Sequence, residues 1–226
     1  MPSASNSALV ALAQRIEGCR ACPRLVTWRE EVAATKRASF AGEQYWGRPV
    51  PGFGDPGARL VVVGLAPAAH GANRTGRVFT GDRSGDWLYG ALFRAGYANQ
   101  PNSRSRDDGL ELRDAYVTAA VRCAPPANKP TVDERDTCVP FLAEELGLLG
   151  DAAVIVVLGQ FAFGVVAALE GLRPRPRFAH LAEHPLADGR VLLCSYHPSQ
   201  QNTFTGTLTE AMFDAVFARS RAITGA

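Results

Sequence analysis

Residues 59–85 read RLVVVGLAPAAHGANRTGRVFTGDRSG, an apolar run followed by a loop that holds five glycines. The run is apolar without alternation, which is typical of a parallel strand buried on both faces. Residues 86–89 then begin a helical pattern. In open α/β sheets, ligands bind beyond the carboxyl ends of such strands, and glycine lets the backbone approach a ligand closely. The loop at 64–85 therefore predicts the position of a functional site.

The rest of the chain alternates between apolar runs and helical patterns, which predicts one α/β domain over residues 1–226 with helices around a parallel sheet. One helix begins in a capping box, because Glu134 follows Thr131 at the required spacing, and Glu210 follows Thr207 in the same way. Residues 26–58 show no such pattern and predict an irregular segment. The predicted strands are 60–64, 116–121, 154–159 and 191–195, and the predicted helices are 7–18, 84–95, 131–149, 161–169 and one after 207.

Three polar segments follow the ends of predicted strands. They are residues 64–85, 122–130 and 196–206. Because the carboxyl ends of parallel strands meet at one edge of a sheet, we expect the three segments to form one site.

The composition is that of an ordinary globular protein, with 46% apolar residues, 20% charged residues and a net charge of +2. So weak a charge says little about partners. The start of the chain lacks the basic and apolar regions of a signal peptide, and the longest apolar run, 152–159, is too short to span a membrane. We therefore expect a cytoplasmic protein without a membrane partner, in which cysteines do not form disulfides.

The predicted site lacks three common catalytic motifs. The glycine-rich loop lacks the lysine motif of nucleotide-binding P-loops and the G-x-G-x-x-G of dinucleotide folds. No G-x-S-x-G nucleophile motif occurs either. Nucleotide hydrolysis and esterase chemistry are therefore disfavoured.

Four of the five cysteines form a pattern that suits a metal site. They are Cys19 and Cys22, two residues apart, with Cys123 and Cys138 far along the chain. Four thiols are enough for a zinc ion or a [4Fe–4S] cluster, and the spacing alone does not separate the two. The alternative is unligated thiols in the core or on the surface. Cys194 lies within a predicted strand, where packing is its expected role.

Three residues near the predicted site have both a structural and a functional interpretation. His197 follows a strand end, where a histidine is either a packed structural residue or a group that contacts a ligand. Asp82 either caps the following helix or acts as a general base or electrostatic stabiliser. Phe79 either packs in the core or offers a flat face for stacking.

Two motifs together resemble one enzyme superfamily. GLAPA at 64–68 with Gly81 and Asp82, and HPS at 197–199 with Asn202, resemble the first and last motifs of the uracil-DNA glycosylases. The four-cysteine spacing and VRCAPP at 121–126 are similar to the iron–sulfur branches of that superfamily. Within these, GLAPA and GRVFTGD at 76–82 resemble family 5, the B-type enzymes.

The resemblance implies a three-layer α/β/α sandwich with a central four-stranded parallel sheet, which agrees with the predicted strands. It also implies a structural [4Fe–4S] cluster on the four cysteines. The substrate would be double-stranded DNA containing uracil or another damaged base, flipped out of the helix into the pocket. A monomeric enzyme would hydrolyse the N-glycosidic bond and leave an abasic site.

The resemblance also assigns roles to particular residues. Catalysis would rest on Asp82, Asn128 and His197. The base would contact Gly64, Ala66, Ala68, Phe79, Asn128 and His197, and the DNA would be held by Arg74, Arg77, Ser199, Gln200, Gln201 and Asn202, with Phe204 as a candidate to fill the vacated space.

The sequence departs from the superfamily pattern at two places. Ala66 stands where many glycosylases carry a water-activating Asp or Asn, and Ala119 or Ala120 stands where relatives carry a base-reading Asn. A pocket without that amide discriminates less between bases. We therefore expect hypoxanthine and ethenocytosine to be accepted beside uracil, with Asp82 in place of the missing carboxylate.

Other functions stay open at this point. One is a metal- or cluster-stabilised module that binds lesions or nucleotides without catalysis. Another is an α/β hydrolase of a small phosphorylated metabolite. Lys129 beside Asn128 also leaves open a lyase reaction through a Schiff base.

Overall fold

The computed structural model describes residues 4–225. Six strands form one sheet in the order β1-β3-β2-β4-β6-β5, and the four central strands are parallel. The strands are β1 (Phe53–Gly54), β2 (Leu60–Gly64), β3 (Ala115–Ala119), β4 (Val154–Leu158), β5 (Glu183–Pro185) and β6 (Val191–Ser195). The α-helices are α1 (Ala4–Glu17), α2 (Pro23–Thr35), α3 (Ala72–Thr75), α4 (Arg83–Arg94), α5 (Val132–Leu148), α6 (Gln160–Leu169), α7 (Gln200–Phe204) and α8 (Glu210–Thr224), with short 3₁₀ turns at Ala38–Phe40 and Pro126–Asn128.

Helices cover both faces of the sheet. On one face Leu88 of α4 and Phe213 of α8 pack against strand residues such as Val62. On the other face Leu142 of α5 and Phe163 of α6 pack against the alternate strand residues. This is the predicted three-layer α/β/α arrangement. The central strands read as continuous apolar runs because both of their faces are buried.

The edges of the sheet differ from the sequence prediction. β1 pairs with β3 and β5 pairs with β6, and both pairs are antiparallel. Each edge strand has only two or three residues, which is too few for an alternation of apolar and polar residues to be recognised in the sequence. The four predicted strands form the parallel core of a six-stranded mixed sheet.

Two other local predictions need correction. Helix α2 occupies part of the segment predicted to be irregular. The last helix is capped by Thr209, whose side chain accepts from the backbone N–H of Met212, rather than by Thr207. The capping box of Thr131 and Glu134 is confirmed. The single-domain prediction stays a prediction, and its first three residues and residue 226 lie outside the described part of the chain.

Candidate active site

The three polar segments meet in one pocket at the carboxyl edge of the sheet, as predicted. Its volume is about 530 Å³, within the range of sites for small organic ligands. The lining residues are Leu65, Ala66, Ala68, Phe79, Asp82, Arg83, Ser84, Asn128, His197, Ser199, Gln200 and Gln201. Leu65, Arg83 and Ser84 were not singled out from the sequence, although each adjoins a residue that was.

Asp82 occupies the pocket wall at the start of α4. One carboxylate oxygen accepts the backbone N–H of Gly85 at 3.0 Å, so Asp82 is the N-cap of the helix. A Cβ at Gly71 would overlap the other oxygen. Burial raises the pKa of Asp82, and the N–H groups of Gly85 and Ser84 oppose that rise. The structural interpretation of this residue is therefore confirmed, and the functional one stays a prediction for a carboxylate that also lines the pocket.

Phe79 is held in a conformation that phenylalanine seldom adopts. Its φ is 50°, in the left-handed region, where a bulky side chain is an outlier. The ring covers Gly64, where a Cβ would overlap it, and the Phe79 carbonyl lies against Gly85. Gly64 thus makes room for Phe79 instead of lining the pocket. Phe79 packs in the core and also lines the pocket, and such backbone strain is typical of functional sites.

His197 lies beside Phe79, with the two ring centroids 6.0 Å apart and the ring planes tilted by 34°. Burial lowers the pKa of His197 to about 4. The imidazole is therefore neutral at physiological pH and can donate one hydrogen bond without carrying a charge. Its backbone is fixed by Asn202, whose amide nitrogen donates to the His197 carbonyl at 2.9 Å.

The wall opposite these groups is apolar. Ala66 and Ala68 line the pocket, whereas Ala119 and Ala120 are buried and lie outside its lining. No amide from β3 therefore reaches the pocket, and the side-chain amides that line it are those of Asn128, Gln200 and Gln201.

Arg74 and Arg77 do not fit the predicted role of holding DNA phosphates. Both are buried. Arg74 pairs with Glu43 and donates to the carbonyl of Gly81 at 3.0 Å. Arg77 pairs with Asp108 at 2.7 Å. Both guanidiniums are paired with carboxylates from outside the loop, so these residues anchor the loop to neighbouring segments.

The exposed groups at the pocket mouth lie on α7 and at the start of α4. Arg83 stacks over Phe204, 4.3 Å from the ring centroid, and Phe204 is 69% exposed. Gln200 and Gln201 are exposed beside them. Ser199 caps α7 by accepting the backbone N–H of Asn202. Ser199 and Asn202 thus serve the loop itself, and Arg83 is a cation that the sequence interpretation did not include among the DNA contacts.

The four patterned cysteines lie together in a second, closed pocket between α2, α5 and the segment after β3. Cys123 accepts a hydrogen bond from the side chain of Arg29 at 2.9 Å, and Cys138 accepts one from the backbone N–H of Arg122 at 3.2 Å. Burial raises the pKa of Cys123 to about 12, so its thiolate needs a positive partner. In the described residues, no three His, Cys, Asp or Glu side chains are close enough to share one metal ion. Cys194 is fully buried in β6, as expected for packing.

Arg29 is a buried charge at this second site that the sequence interpretation missed. It is 2% exposed. The nearest carboxylate is that of Glu30, 3.9 Å away and 44% exposed. Among residues 4–225, the Arg29 Nε finds no hydrogen-bond partner. A buried cation without a close carboxylate requires other negative charge nearby, and the neighbouring cysteine sulfurs are the available source.

No helix in residues 4–225 is long and apolar enough to cross a bilayer.

The sequence matches known proteins over most of its length. A model of the uracil DNA glycosylase superfamily matches residues 51–221. A type-5 uracil-DNA glycosylase of Mycobacterium bovis is 56% identical over 213 residues, which cover 93% of this chain and 80% of that protein. Type-5 enzymes of Mycobacterium leprae, 53% identical over 100% of both chains, and of Thermus thermophilus, 54% identical over 95% of this chain and 98% of that protein, are also similar. Because these matches extend over nearly the whole chain, it belongs to the uracil DNA glycosylase superfamily and to its type-5 branch.

Proposed function

We propose that this protein excises uracil from double-stranded DNA by hydrolysing the N-glycosidic bond and leaving an abasic site. The observation that carries the proposal is one pocket that holds an aromatic face, a neutral imidazole and a carboxylate, supplied by Phe79, His197 and Asp82. Relatives named uracil-DNA glycosylases support it.

Each of these groups suits one part of the reaction. Cleavage leaves positive charge on the sugar and negative charge on the base. Phe79 stacks on the flipped base, and the neutral His197 donates to the oxygen on which negative charge develops. Asp82 faces the sugar cation or orients the attacking water. Asn128 reads the edge of the base or holds that water.

The proposal includes a broad range of bases. The wall made by Ala66 and Ala68 presents no polar group that a wrong base would leave unpaired. We therefore propose that hypoxanthine and ethenocytosine are excised as well as uracil. A pocket with a buried amide reader would reject them.

We propose that the enzyme is monofunctional and acts as a monomer in the cytoplasm. A Schiff-base lysine must be desolvated or placed beside another cation. Lys129 is exposed and lies outside the pocket lining. The DNA strand should therefore stay intact after base release until alkali is added.

The test is release of base from duplexes that carry uracil, hypoxanthine or ethenocytosine, by the native protein and by Asp82→Asn. Asparagine still caps a helix well, so this change removes the charge and keeps the cap. We expect excision to fall by about 10²–10³-fold, with unchanged thermal unfolding. Asp107→Asn, an exposed loop carboxylate, is the matched control.

Two results would contradict the proposal. If the native protein binds damaged duplexes and releases no base, it is a binding module. If it does not bind duplex DNA at low salt, a hydrolase of a small phosphorylated metabolite takes its place.

We also propose that Cys19, Cys22, Cys123 and Cys138 hold a [4Fe–4S] cluster. The donor set fits, because four thiolates ligate such a cluster and the four cysteines line one pocket. The buried Arg29 also fits, since a cluster with four thiolates is negatively charged. The bound cluster would serve structure, as a cross-link between the α1–α2 connection and α5.

Anaerobic purification tests the cofactor. Iron and acid-labile sulfide in equal amounts, lost in Cys123→Ser and kept in Cys194→Ser, would support the cluster. Zinc in stoichiometric amount would contradict it. The cytoplasm suits this cofactor because its thiols are kept reduced.

A further inference from the structure

The turn that carries Asn128 is strained. Ala127 and Asn128 follow one another with φ values of 51° and 56°. The left-handed conformation is unfavourable for an ordinary residue such as Ala, because its Cβ crowds the following carbonyl oxygen, whereas Asn adopts it more readily. The backbone bonds within the turn join the N–H of Asn128 to Pro125 and the N–H of Lys129 to Pro126, at 3.1 and 3.0 Å. The prolines around the turn donate no backbone hydrogen bonds, so the turn needs support from another segment.

Arg24 supplies that support. Its Nη2 donates to the carbonyl of Lys129 at 3.2 Å. The same guanidinium donates two hydrogen bonds, of 2.7 and 2.6 Å, to the carboxylate of Glu134 in α5. Glu134 in turn accepts the backbone N–H of Thr131 at 2.8 Å. The guanidinium therefore ties the last residue of the strained turn to the first turn of α5.

The position of Arg24 in the chain also connects this contact to the cysteine site. It lies two residues after Cys22, at the start of α2. It is therefore carried by the segment that brings Cys19 and Cys22 into the cysteine site. Asn128, at the other end of the contact, lines the pocket.

We infer that Arg24 is a positioning residue that holds the Asn128 turn in its strained conformation and so ties the pocket to the cysteine-bearing segment. This inference rests on the proposed function, because it assigns the effect of Arg24 to Asn128. A long guanidinium is needed, since it must reach the carboxylate and the carbonyl at once in fixed geometry.

The first test is Arg24→Gln, assayed for uracil release. Coupling through a remote residue changes function by about 2- to 30-fold, and we expect a loss of kcat in that range with intact iron content. Arg20→Gln is the matched control. Arg20 lies between the same two cysteines and grips Glu30 through two bonds, away from the turn.

Two double variants separate positioning from a general structural effect. Ala127→Gly removes the conformational cost at the strained residue, so it should restore much of the activity lost in Arg24→Gln. In an Asn128→Ala background, Arg24→Gln should cause no further loss of activity, since the Asn128 side chain through which Arg24 acts is absent.

The outcomes distinguish this inference from the proposed function. If the native protein releases no uracil, the proposed function fails. If the native protein is active and Arg24→Gln equals it, the inference fails alone. The inference also fails if Arg20→Gln loses as much, if Ala127→Gly restores nothing, or if the losses of Arg24→Gln and Asn128→Ala multiply.

Discussion

The pocket and the cysteine site both touch Ala66, yet they hold opposite charges. Ala66 lines the pocket and packs against the apolar cluster that contains Cys123 and Cys138. The pocket holds the carboxylate of Asp82, and the cysteine site holds the guanidinium of Arg29. Under the proposed function, the carboxylate would meet a sugar cation and the guanidinium would meet an anionic cluster. The two sites would then differ in what their charges do, because one would meet charge that appears during a reaction and the other would balance charge that is permanent.

Apart from removal of the pocket carboxylate, the largest expected effect comes from moving that carboxylate. Gly71→Ala would place a Cβ on the Asp82 oxygen that points away from the helix cap. A displacement of about 1 Å at a reacting group can cost about 10²-fold in rate, and we expect a loss of uracil release of that order. Gly147→Ala, where a Cβ meets nothing within 4 Å, is the control. Full activity in Gly71→Ala would show that the position of Asp82 does not matter.

The second-largest effect is expected at the cysteine site, as a change in the free energy of unfolding. Arg29→Gln removes a buried cation and its bond to Cys123. Hydrogen bonds to charged groups contribute about 1.5–3 kcal/mol each, and we expect the free energy of unfolding to fall by that amount. Denaturant unfolding of the holoprotein measures it. Arg20→Gln, an exposed arginine beside the same cysteines, should leave the unfolding midpoint unchanged. If the two variants behave alike, the charge of Arg29 has no special role.

The third prediction concerns the pH dependence of excision. In the proposed reaction Asp82 acts as a carboxylate, so the rate should fall as the pH drops through the pKa of Asp82. Burial and the charge of Asp86 raise that pKa, and the charge of Arg74 lowers it. Arg74→Gln should therefore move the acid limb of the profile to higher pH, whereas Arg74→Lys should move it less.

Glu43 provides the opposite change for the same experiment. It is the ion-pair partner of Arg74, so Glu43→Gln leaves the arginine charge unbalanced and should move the acid limb to lower pH. Equal shifts of both variants in one direction would contradict an electrostatic link. The pH–rate profile should show no limb near pH 6.5 from His197, because burial lowers the pKa of His197 to about 4.

The smallest effect is expected at the pocket mouth. Arg83 forms no ion pair within residues 4–225 and is exposed beside the pocket. If it contacts a phosphate, Arg83→Gln should reduce the slope of log binding constant against log salt by about 1. Arg113→Gln, an exposed arginine at the opposite edge of the sheet, should leave the slope unchanged. Equal slopes for the native protein and Arg83→Gln would remove Arg83 from the DNA contacts.

The parallel core and the location of the pocket were predictable from the sequence. Continuous apolar runs mark strands that are buried on both faces, and parallel strands bring their following loops to one edge. Phe79, Asp82, Asn128 and His197 therefore meet in the pocket as expected.

The roles of the arginines were not predictable in the same way. Arg74 and Arg77 each find an acidic partner 31 residues away in sequence, and no local pattern distinguishes such a pair from a free surface cation. Helix α2 was missed for a related reason. Its inward positions are Leu25, Val26, Arg29 and Val32, and the charged residue among them breaks the apolar period.

Ala66 also limits which substitutions the chain can accept during evolution. A longer side chain at that position must extend either into the pocket or towards the cysteines. A change at that position would therefore affect both sites, whereas a change in the loop at 196–206, which borders the pocket, would affect the pocket alone.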